Sequence, residues 1–300
     1  MKENKQKVII IAGVTGVGKT ATGVFLSKKL GGEVISADSI QVYKGFDIGS
    51  AKVTKEEMQG VTHHLIDIKN PHEEYSAGEF ARQAEEKVID INNRGKIAII
   101  VGGTGLYISS FLFPLSSNCE RDEEFRLQML NKSNQELYDM LLKIDPKSAE
   151  SINIKQTDRI VRALEIYHLT GKKKIELTRD FSSKYDYLLL FLNRDRQEVY
   201  DVINKRVDRM FESGLIEEIK GLLNQGVDKD APAFKGIGYR EVLGYLNGNL
   251  SFEECSELIK KNTRNYAKRQ ITYFKKLPNI EVVDYQDREL ILQKVENFLK

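Results

Sequence analysis

The chain has 300 residues, and 46 Lys and Arg residues against 44 Asp and Glu residues leave a formal net charge of only +2. Hydrophobic residues make up 41% and charged residues 30%, which is typical of a globular protein and excludes wholesale disorder. The near-neutral total gives no indication of a nucleic-acid partner, and no run reaches the roughly 20 apolar residues of a membrane span.

The first third of the chain alternates strand and helix patterns. Short apolar runs rich in β-branched residues are typical of buried parallel strands, and apolar residues at helical spacing predict the helices between them. The predicted elements are strands at Val8–Ala12, Glu33–Ala37 and Lys96–Val101, and helices at Lys19–Leu30 and Phe80–Asn92. Strands that alternate with helices imply right-handed βαβ units and a parallel sheet.

The pattern changes near residue 115. Residues 121–177 are charged and helical in character, and the apolar run Tyr187–Leu192 then predicts a strand that returns the chain to the sheet. We therefore expect a helical insertion domain over residues 115–185, between residues 1–114 and 186–300 of an α/β core. A long helix with one apolar face follows over residues 199–211, closed by Gly214, and the C-terminal third is predicted to be mostly helical.

A complete phosphate-loop motif, G-x-x-x-x-G-K-T, occupies residues 13–20, between the first predicted strand and the first predicted helix. Its residues are Gly13, Val14, Thr15, Gly16, Val17, Gly18, Lys19 and Thr20. Backbone N–H groups of such a loop surround phosphates, Lys19 neutralises their charge, and the Thr20 hydroxyl can ligate Mg²⁺. The motif predicts a P-loop NTPase-like parallel sheet flanked by helices, and a ligand with at least two phosphates.

Asp38, directly after the second predicted strand, is the acidic residue expected nearest this loop. The strand Lys96–Val101 ends instead in Gly102–Gly105, where a hydrolase often carries an acidic magnesium ligand. Reacting groups gather at the carboxyl ends of strands in an open α/β sheet. A carboxylate there can accept a proton from an attacking group, which favours group transfer over hydrolysis. The alternative role for Asp38 is capping of a turn with Ser39.

Eight segments together resemble the tRNA dimethylallyltransferase (tRNA isopentenyltransferase) family of bacterial type. They are GVTGVGKT (13–20), ISADSIQVYKGFDIGSAK (35–52), THHLIDI (62–68), VGGTGLY (101–107), DRIVRALE (158–165), KRVDRMFESGLIEEI (205–219), KGIGYRE (235–241) and TRNYAKRQITYF (263–274). The resemblance implies transfer of a dimethylallyl group from dimethylallyl diphosphate to the exocyclic amine of the adenosine 3′-adjacent to the anticodon in tRNA, with release of diphosphate. It implies tRNA (through the anticodon stem-loop) and dimethylallyl diphosphate as partners and Mg²⁺ as cofactor, and we expect a cytoplasmic monomer.

The same resemblance implies roles for individual residues. Asp38 would engage the adenine amine, with Thr20 and Arg206 at the leaving diphosphate. Contacts with tRNA are implied for Asp38, Ser39, Ile40, Gln41, Thr104, Arg126, Asp158, Arg159, Ile160, Val161, Arg162, Lys235, Gly236, Ile237, Gly238, Tyr239 and Arg240. The chain departs from the family pattern at Val14, at residues 154–157 and at Tyr273, which concerns the fine geometry of the tRNA contacts.

Residues 258–280 hold seven Lys and Arg residues and no acidic residue. On a predicted helix, one face carries residues expected in the core: Ile259, Tyr266, Gln270, Tyr273 and Leu277. The basic face is either solvated or in contact with tRNA phosphates, and Arg264 and Arg269 are candidates for the diphosphate instead. A local basic segment is therefore hidden in the near-neutral total.

Three other interpretations fit parts of the sequence. A phosphate-loop kinase would use Asp38 as its acceptor base but would transfer a phosphoryl group from ATP. An adenylate prenyltransferase would share the donor site but would need no tRNA-binding surface, and we would expect it to lack residues 235–241 and 263–274. A non-catalytic RNA-binding module would leave Lys19, Thr20 and Asp38 unexplained.

The cysteines and paired histidines have ordinary interpretations. Cys119 and Cys255 lie far apart without a CxxC pair, which predicts reduced thiols in a cytoplasmic protein. His63 and His64 are neighbours on one strand and point to opposite sides, so we favour structural roles over metal ligation.

Overall fold

The computed structural model describes residues 5–114, 121–177 and 180–300. These form two compact units, one from Met1–Leu112 and Ser183–Lys300, the other from Phe113–Ser182. Cys119 lies outside the described residues. Cys255 is a buried free thiol, and burial raises its pKa to about 11.

The larger unit is built on a parallel sheet, with six strands among the described residues. The strands are β1 (Lys7–Gly13), β2 (Gly32–Ala37), β3 (His63–His64), β4 (Ile97–Gly102), β5 (Asp186–Asn193) and β6 (Ile280–Asp284). Their order across the sheet is β3-β2-β4-β1-β5-β6, and every neighbouring pair is parallel. The predicted α/β fold with a P-loop-like parallel sheet is confirmed.

Helices connect the strands of the larger unit and make up most of the smaller one. In chain order they are α1 (Lys19–Leu30), α2 (Lys55–Met58), α3 (Ala77–Asn93), α4 (Gly105–Leu112), α5 (Glu123–Leu130), α6 (Asn134–Ile144), α7 (Pro146–Ser151), α8 (Thr157–Thr170), α9 (Arg196–Glu212), α10 (Leu215–Asn224), α11 (Tyr239–Leu246), α12 (Phe252–Phe274) and α13 (Arg288–Leu299). None of these helices is both long and apolar enough to cross a bilayer, a finding that covers the described residues only.

Burial explains why the central strands were readable from the sequence. All five residues of Val8–Ala12 in β1 are fully buried, because the central strand is paired on both edges and covered on both faces. His63 and His64, which the sequence analysis placed on one strand, form the two-residue strand β3. β6 was not predicted, because it pairs along one edge only, leaves Val282 largely exposed and so shows no continuous apolar run.

The smaller unit has its own core, formed by helices α5–α8. The buried members of this core are Met129, Leu137, Leu141, Ala149, Ile152, Ile160, Val161, Ala163 and Leu164. A buried carboxylate, Glu165, lies on the same helix as the last four. Its two arginine partners, Arg126 and Arg162, are both in this unit and form ion pairs with it.

Candidate functional site

The phosphate loop joins β1 to α1 at the carboxyl edge of the sheet. Gly16 and Gly18 adopt positive φ values of 79° and 103°, a region that side chains with a Cβ rarely adopt, and Gly18 precedes the first residue of α1. Within the loop, Lys19 Nζ donates a hydrogen bond of 2.8 Å to the Val14 carbonyl. The turn therefore places a lysine next to the amino end of a helix, which is the usual arrangement for binding a phosphate group.

A cavity of about 810 Å³ opens in front of this loop. The predicted residues Thr15, Lys19, Thr20, Asp38 and Arg206 all line it, although they come from three separate parts of the chain. The cavity thus brings together the predicted diphosphate site and the predicted base. Apolar side chains also line it, namely Val34, Ile48, Val53, Ile66, Val101 and Met210.

Lys19 and Arg206, two of the cations that line the cavity, both have lowered pKa values. Burial and the neighbouring Arg206 guanidinium lower the pKa of Lys19 to about 8, although the Asp38 carboxylate acts in the opposite direction. Burial likewise lowers the pKa of Arg206, again opposed by Asp38. Two cations held close together out of water favour an anionic ligand, because a ligand with several negative charges relieves their mutual repulsion.

Arg206 reaches the cavity from α9 and is held by two hydrogen bonds. Its Nη1 donates to Thr15 Oγ1 and its Nη2 to the Ser50 carbonyl, each at 3.3 Å. The bond to Thr15 places the guanidinium against the phosphate loop itself. The role at the diphosphate that the sequence implied for Arg206 is therefore compatible with its position.

The position of Asp38 is compatible with both roles that the sequence left open. Its Oδ1 accepts hydrogen bonds from the backbone N–H groups of Ile40 (2.9 Å) and Gln41 (3.2 Å), which is the turn-capping arrangement. The same side chain lines the cavity. Because Oδ1 is held by these two hydrogen bonds, the orientation of the Asp38 carboxylate in the cavity is fixed.

Gln270 is a site residue that the sequence reasoning missed. This α12 side chain, assigned to the core, is buried, but it bridges two functional segments. Its Oε1 accepts from Thr15 N at 3.0 Å and its Nε2 donates to the Gly103 carbonyl at 2.9 Å. A Cβ at position 103 would lie 2.3 Å from Gln270 Nε2, so a side chain there would displace this amide from its hydrogen bond. A glutamine on an otherwise apolar helix face was the available signal.

The predicted tRNA-contacting residues of the larger unit are distributed between surface and interior. Gln41 lines the cavity, and Thr104 N donates to the carbonyl of Ala37, next to Asp38. Lys235 and Arg240 are exposed, whereas Tyr239 is fully buried. The predicted tRNA contact through the Tyr239 side chain is therefore corrected to a packing and hydrogen-bonding role inside this unit.

The corresponding residues of the smaller unit divide in the same way. Asp158 and Arg159 are exposed at the start of α8, but Ile160 and Val161 belong to the core of the unit, so their side chains are not available to tRNA. Arg126 makes a two-point ion pair with Glu165, at 2.7 and 2.9 Å. Burial alone would raise the pKa of Glu165, but this pair and a second one from Arg162 lower it to about 2.

Some of the basic residues at positions 258–280 are paired with other residues of the protein. Lys260 pairs with Asp208 at 2.7 Å, and Arg264 donates to Asn204 Oδ1 at 2.6 Å. Lys268, Lys275 and Lys276 are exposed and can meet a polyanion. Of the five residues predicted to be in the core, Ile259, Gln270 and Leu277 are buried, and Tyr266 and Tyr273 are half-buried.

Both histidines have a partner inside the protein, and His63 also lines the cavity. His63 Nδ1 lies 2.9 Å from the Val61 carbonyl and His64 Nε2 lies 2.7 Å from Glu33 Oε2. Within the ranges that the structure describes, no three His, Cys, Asp or Glu side chains are grouped to hold a metal ion.

Comparison with known proteins gives consistent matches over most of the chain. The model of the IPP transferase family matches residues 41–277. The tRNA dimethylallyltransferase of Alkaliphilus oremlandii is 45% identical over 283 residues, covering 92% of this chain and 90% of the relative. The tRNA dimethylallyltransferase of Anoxybacillus flavithermus is 43% identical, with 98% and 95% covered.

Solved structures agree with the sequence matches. The full-length tRNA isopentenylpyrophosphate transferase of Bacillus halodurans is 42% identical, with a TM-score of 0.73 over 98% of this chain and 96% of that one. A eukaryotic dimethylallyltransferase described as acting on tRNA is 34% identical, with a TM-score of 0.79 over 95% of this chain and 75% of that one. The similarity therefore covers both the sheet and the helical unit.

Proposed function

The chain belongs to the IPP transferase family, whose relatives are named tRNA dimethylallyltransferases, and on that premise we propose how its own residues perform the reaction. The protein is a transferase that adds a prenyl group to an adenosine of tRNA. The observation that carries the assignment of roles is that the phosphate loop, Asp38 and Arg206 line a single cavity.

We propose that the loop binds the diphosphate of dimethylallyl diphosphate. Lys19 and Arg206 supply two positive charges next to the loop, and the amino end of α1 adds its partial charge. An allylic C–O bond breaks more readily when the departing diphosphate is neutralised. The apolar wall that includes Ile48, Val53 and Met210 suits the five-carbon chain of this donor.

Asp38 is the proposed base for the acceptor. The exocyclic nitrogen of adenine forms the new C–N bond as the C–O bond to diphosphate breaks, and its proton passes to the Asp38 carboxylate. An aromatic amine is a weak nucleophile, so a positioned base should contribute about 10²–10⁴-fold to the rate. The adenine of the tRNA cannot react while it is stacked in the anticodon loop, so it must be flipped out into the cavity.

Magnesium fits this site as a partner of the donor rather than as a metal held by the protein alone. Thr20, exposed in the first turn of α1, lines the cavity and offers one hydroxyl oxygen. Mg²⁺ commonly takes its remaining ligands from substrate phosphates and water. When bound, the ion would neutralise charge on the departing diphosphate, with Thr20 as its protein ligand.

A single assay tests the proposal. The protein is incubated with Mg²⁺, labelled dimethylallyl diphosphate and unmodified tRNA, with AMP and ATP as parallel substrates. We expect label in tRNA only, and incorporation slower by about 10²–10⁴-fold when Asp38 is replaced by Ala. Label in AMP would assign the protein to adenylate prenylation, and turnover of ATP without prenyl transfer would assign it to phosphoryl transfer.

A further inference from the structure

Four residues of the segment 47–52 line the cavity, namely Asp47, Ile48, Ala51 and Lys52. The backbone of the same segment also binds Arg206. The Ser50 carbonyl accepts a hydrogen bond from Arg206 Nη2 at 3.3 Å and a second from Gln41 Nε2 at 3.4 Å. Gln41 Nε2 also lies 3.1 Å from the Ala51 carbonyl. The position of Ser50 therefore sets the position of a proposed catalytic cation and of a residue next to Asp38.

A carboxylate outside the cavity holds this segment in place. The Glu218 carboxylate, on α10, accepts hydrogen bonds from the backbone N–H groups of Asp47 (3.0 Å), Ile48 (2.7 Å) and Gly49 (3.3 Å). Charge-assisted hydrogen bonds to backbone N–H groups are stronger than neutral ones. Three of them from consecutive residues fix both the shape and the location of the turn.

Tyr239 contacts both Glu218 and the segment 47–52. Its hydroxyl donates to Glu218 Oε1 at 2.9 Å and accepts from Ser50 N at 3.1 Å, and its side chain is fully buried. A Cβ on Gly49 would lie 2.5 Å from the Tyr239 ring, so the segment packs directly against the ring. Because Glu218 has only acceptor oxygens, the phenol must donate to it and accept from Ser50.

We infer that Glu218 and Tyr239 are positioning residues that, through Ser50, aim Arg206 at the diphosphate of the donor. Neither is among the described residues that line the cavity, so both act through the segment and not on the substrate. The inference rests on the proposed role of Arg206. It also replaces the predicted contact of the Tyr239 side chain with tRNA, which its burial does not allow.

The test is the conservative substitution Tyr239→Phe, which keeps the buried ring and removes only the hydroxyl. We expect the inhibition constant of inorganic diphosphate and the KM for dimethylallyl diphosphate to rise about tenfold, and kcat to fall several-fold. The Kd for tRNA should stay within twofold of the parent value, with an unchanged far-UV CD spectrum. Glu218→Gln should show the same pattern more strongly, because its amide nitrogen would face backbone donors.

Two further variants separate this inference from the proposed function. Glu217→Gln, an exposed neighbour on the same helix, is the matched control and should match the parent protein in every measurement. Parent-like kinetics for Tyr239→Phe would overturn the positioning role, as would a loss confined to tRNA affinity. If Arg206→Gln retained parent diphosphate inhibition and turnover, the proposed role of Arg206 would itself fail, whatever Tyr239 does.

Discussion

At the scale of single residues, Asp38 has an observed structural role as a turn cap and a proposed chemical role as a base. One oxygen caps the turn formed by residues 38–41, and the side chain also faces the ligand cavity. An amide can still cap the turn through its carbonyl oxygen, but it cannot accept a proton from the adenine amine. The two roles can therefore be separated by experiment.

We predict that Asp38→Asn lowers kcat by about 10²–10⁴-fold, the usual contribution of a positioned base, and leaves tRNA affinity within a few-fold. Asp38→Ala should lose the same rate and, in addition, about 1 kcal/mol of stability from the lost cap. Single-turnover rates, filter binding of tRNA and urea unfolding measure the three quantities. Equal losses of rate and tRNA affinity would contradict the role as base.

Gln270 gives a second prediction at this scale, because each end of its amide is paired inside the protein. Gln270→Met keeps the approximate shape but leaves Thr15 N and the Gly103 carbonyl without their partner. We expect a loss of about 1–3 kcal/mol of unfolding free energy, the usual cost of buried unpaired groups, and weaker diphosphate inhibition. Urea unfolding and inhibition assays measure both effects.

The exposed Gln128→Met is the matched control for Gln270→Met, since it makes the same chemical change on the surface. It should alter neither stability nor inhibition measurably. If Gln270→Met also changed neither the unfolding free energy nor diphosphate inhibition, the hydrogen bonds of Gln270 to Thr15 and Gly103 would not contribute to stability or to diphosphate binding.

At the scale of elements, helices α5 and α8 are joined through the buried Glu165 and its two arginine partners. We predict that Arg126→Ala destabilises this unit by about 2 kcal/mol, less than a buried carboxylate with no partner would cost, because Arg162 remains. Hydrogen exchange of the α5–α8 amides measures the loss. Arg121→Ala, which breaks the surface pair with Glu123, should cost less than about 0.5 kcal/mol.

The same cluster predicts an acid-dependent loss of stability in this unit. The folded-state pKa of Glu165 is about 2, below the ordinary 4.5. A carboxylate with a lowered pKa contributes stability that is fully present above its unfolded-state pKa and is lost as the pH falls through the folded-state value. We therefore expect amide protection in α5–α8 to decline between pH 4.5 and pH 2, and Glu165→Gln to flatten this decline. Unchanged pH dependence in that variant would contradict the assignment.

At the scale of the whole molecule, charge is organised locally although the total is near zero. Lys260 is paired with an acid of the same unit, whereas Lys275 and Lys276, at the end of α12, are exposed. The net charge therefore describes solubility rather than partners, and the exposed lysines are the ones that a phosphate backbone can reach.

We predict that the affinity for tRNA falls as salt rises, and that Lys275→Gln with Lys276→Gln reduces the slope of log Kd against log salt by about 1–2, since each phosphate contact contributes roughly 0.7–0.9. The exposed pair Lys28→Gln and Lys29→Gln, at the end of α1, removes the same charge and should leave the slope nearly unchanged. Filter binding over a salt series measures both. Equal slopes in the two double variants would indicate that Lys275 and Lys276 are solvated and do not contact tRNA phosphates.

The sequence was sufficient wherever a pattern is local. The central strands, the phosphate loop and the placement of Asp38 after β2 all follow from apolar runs and a motif of fixed spacing, and each agrees with the structure. The family resemblance added the reaction and Arg206. The edge strand β6 was not predicted, because it does not bury a continuous apolar run.

The tertiary structure alone decided which polar residues face the ligand and which support those that do. Gln270 and Tyr239 both lie in segments that the sequence associated with other roles, and each is buried with its polar atoms paired to distant backbone groups. Such pairing depends on contacts between residues far apart in the chain, which no periodicity encodes. Length, composition and motifs thus determined a parallel α/β fold and predicted a diphosphate site, and three-dimensional contacts determined how the residues of that predicted site are held.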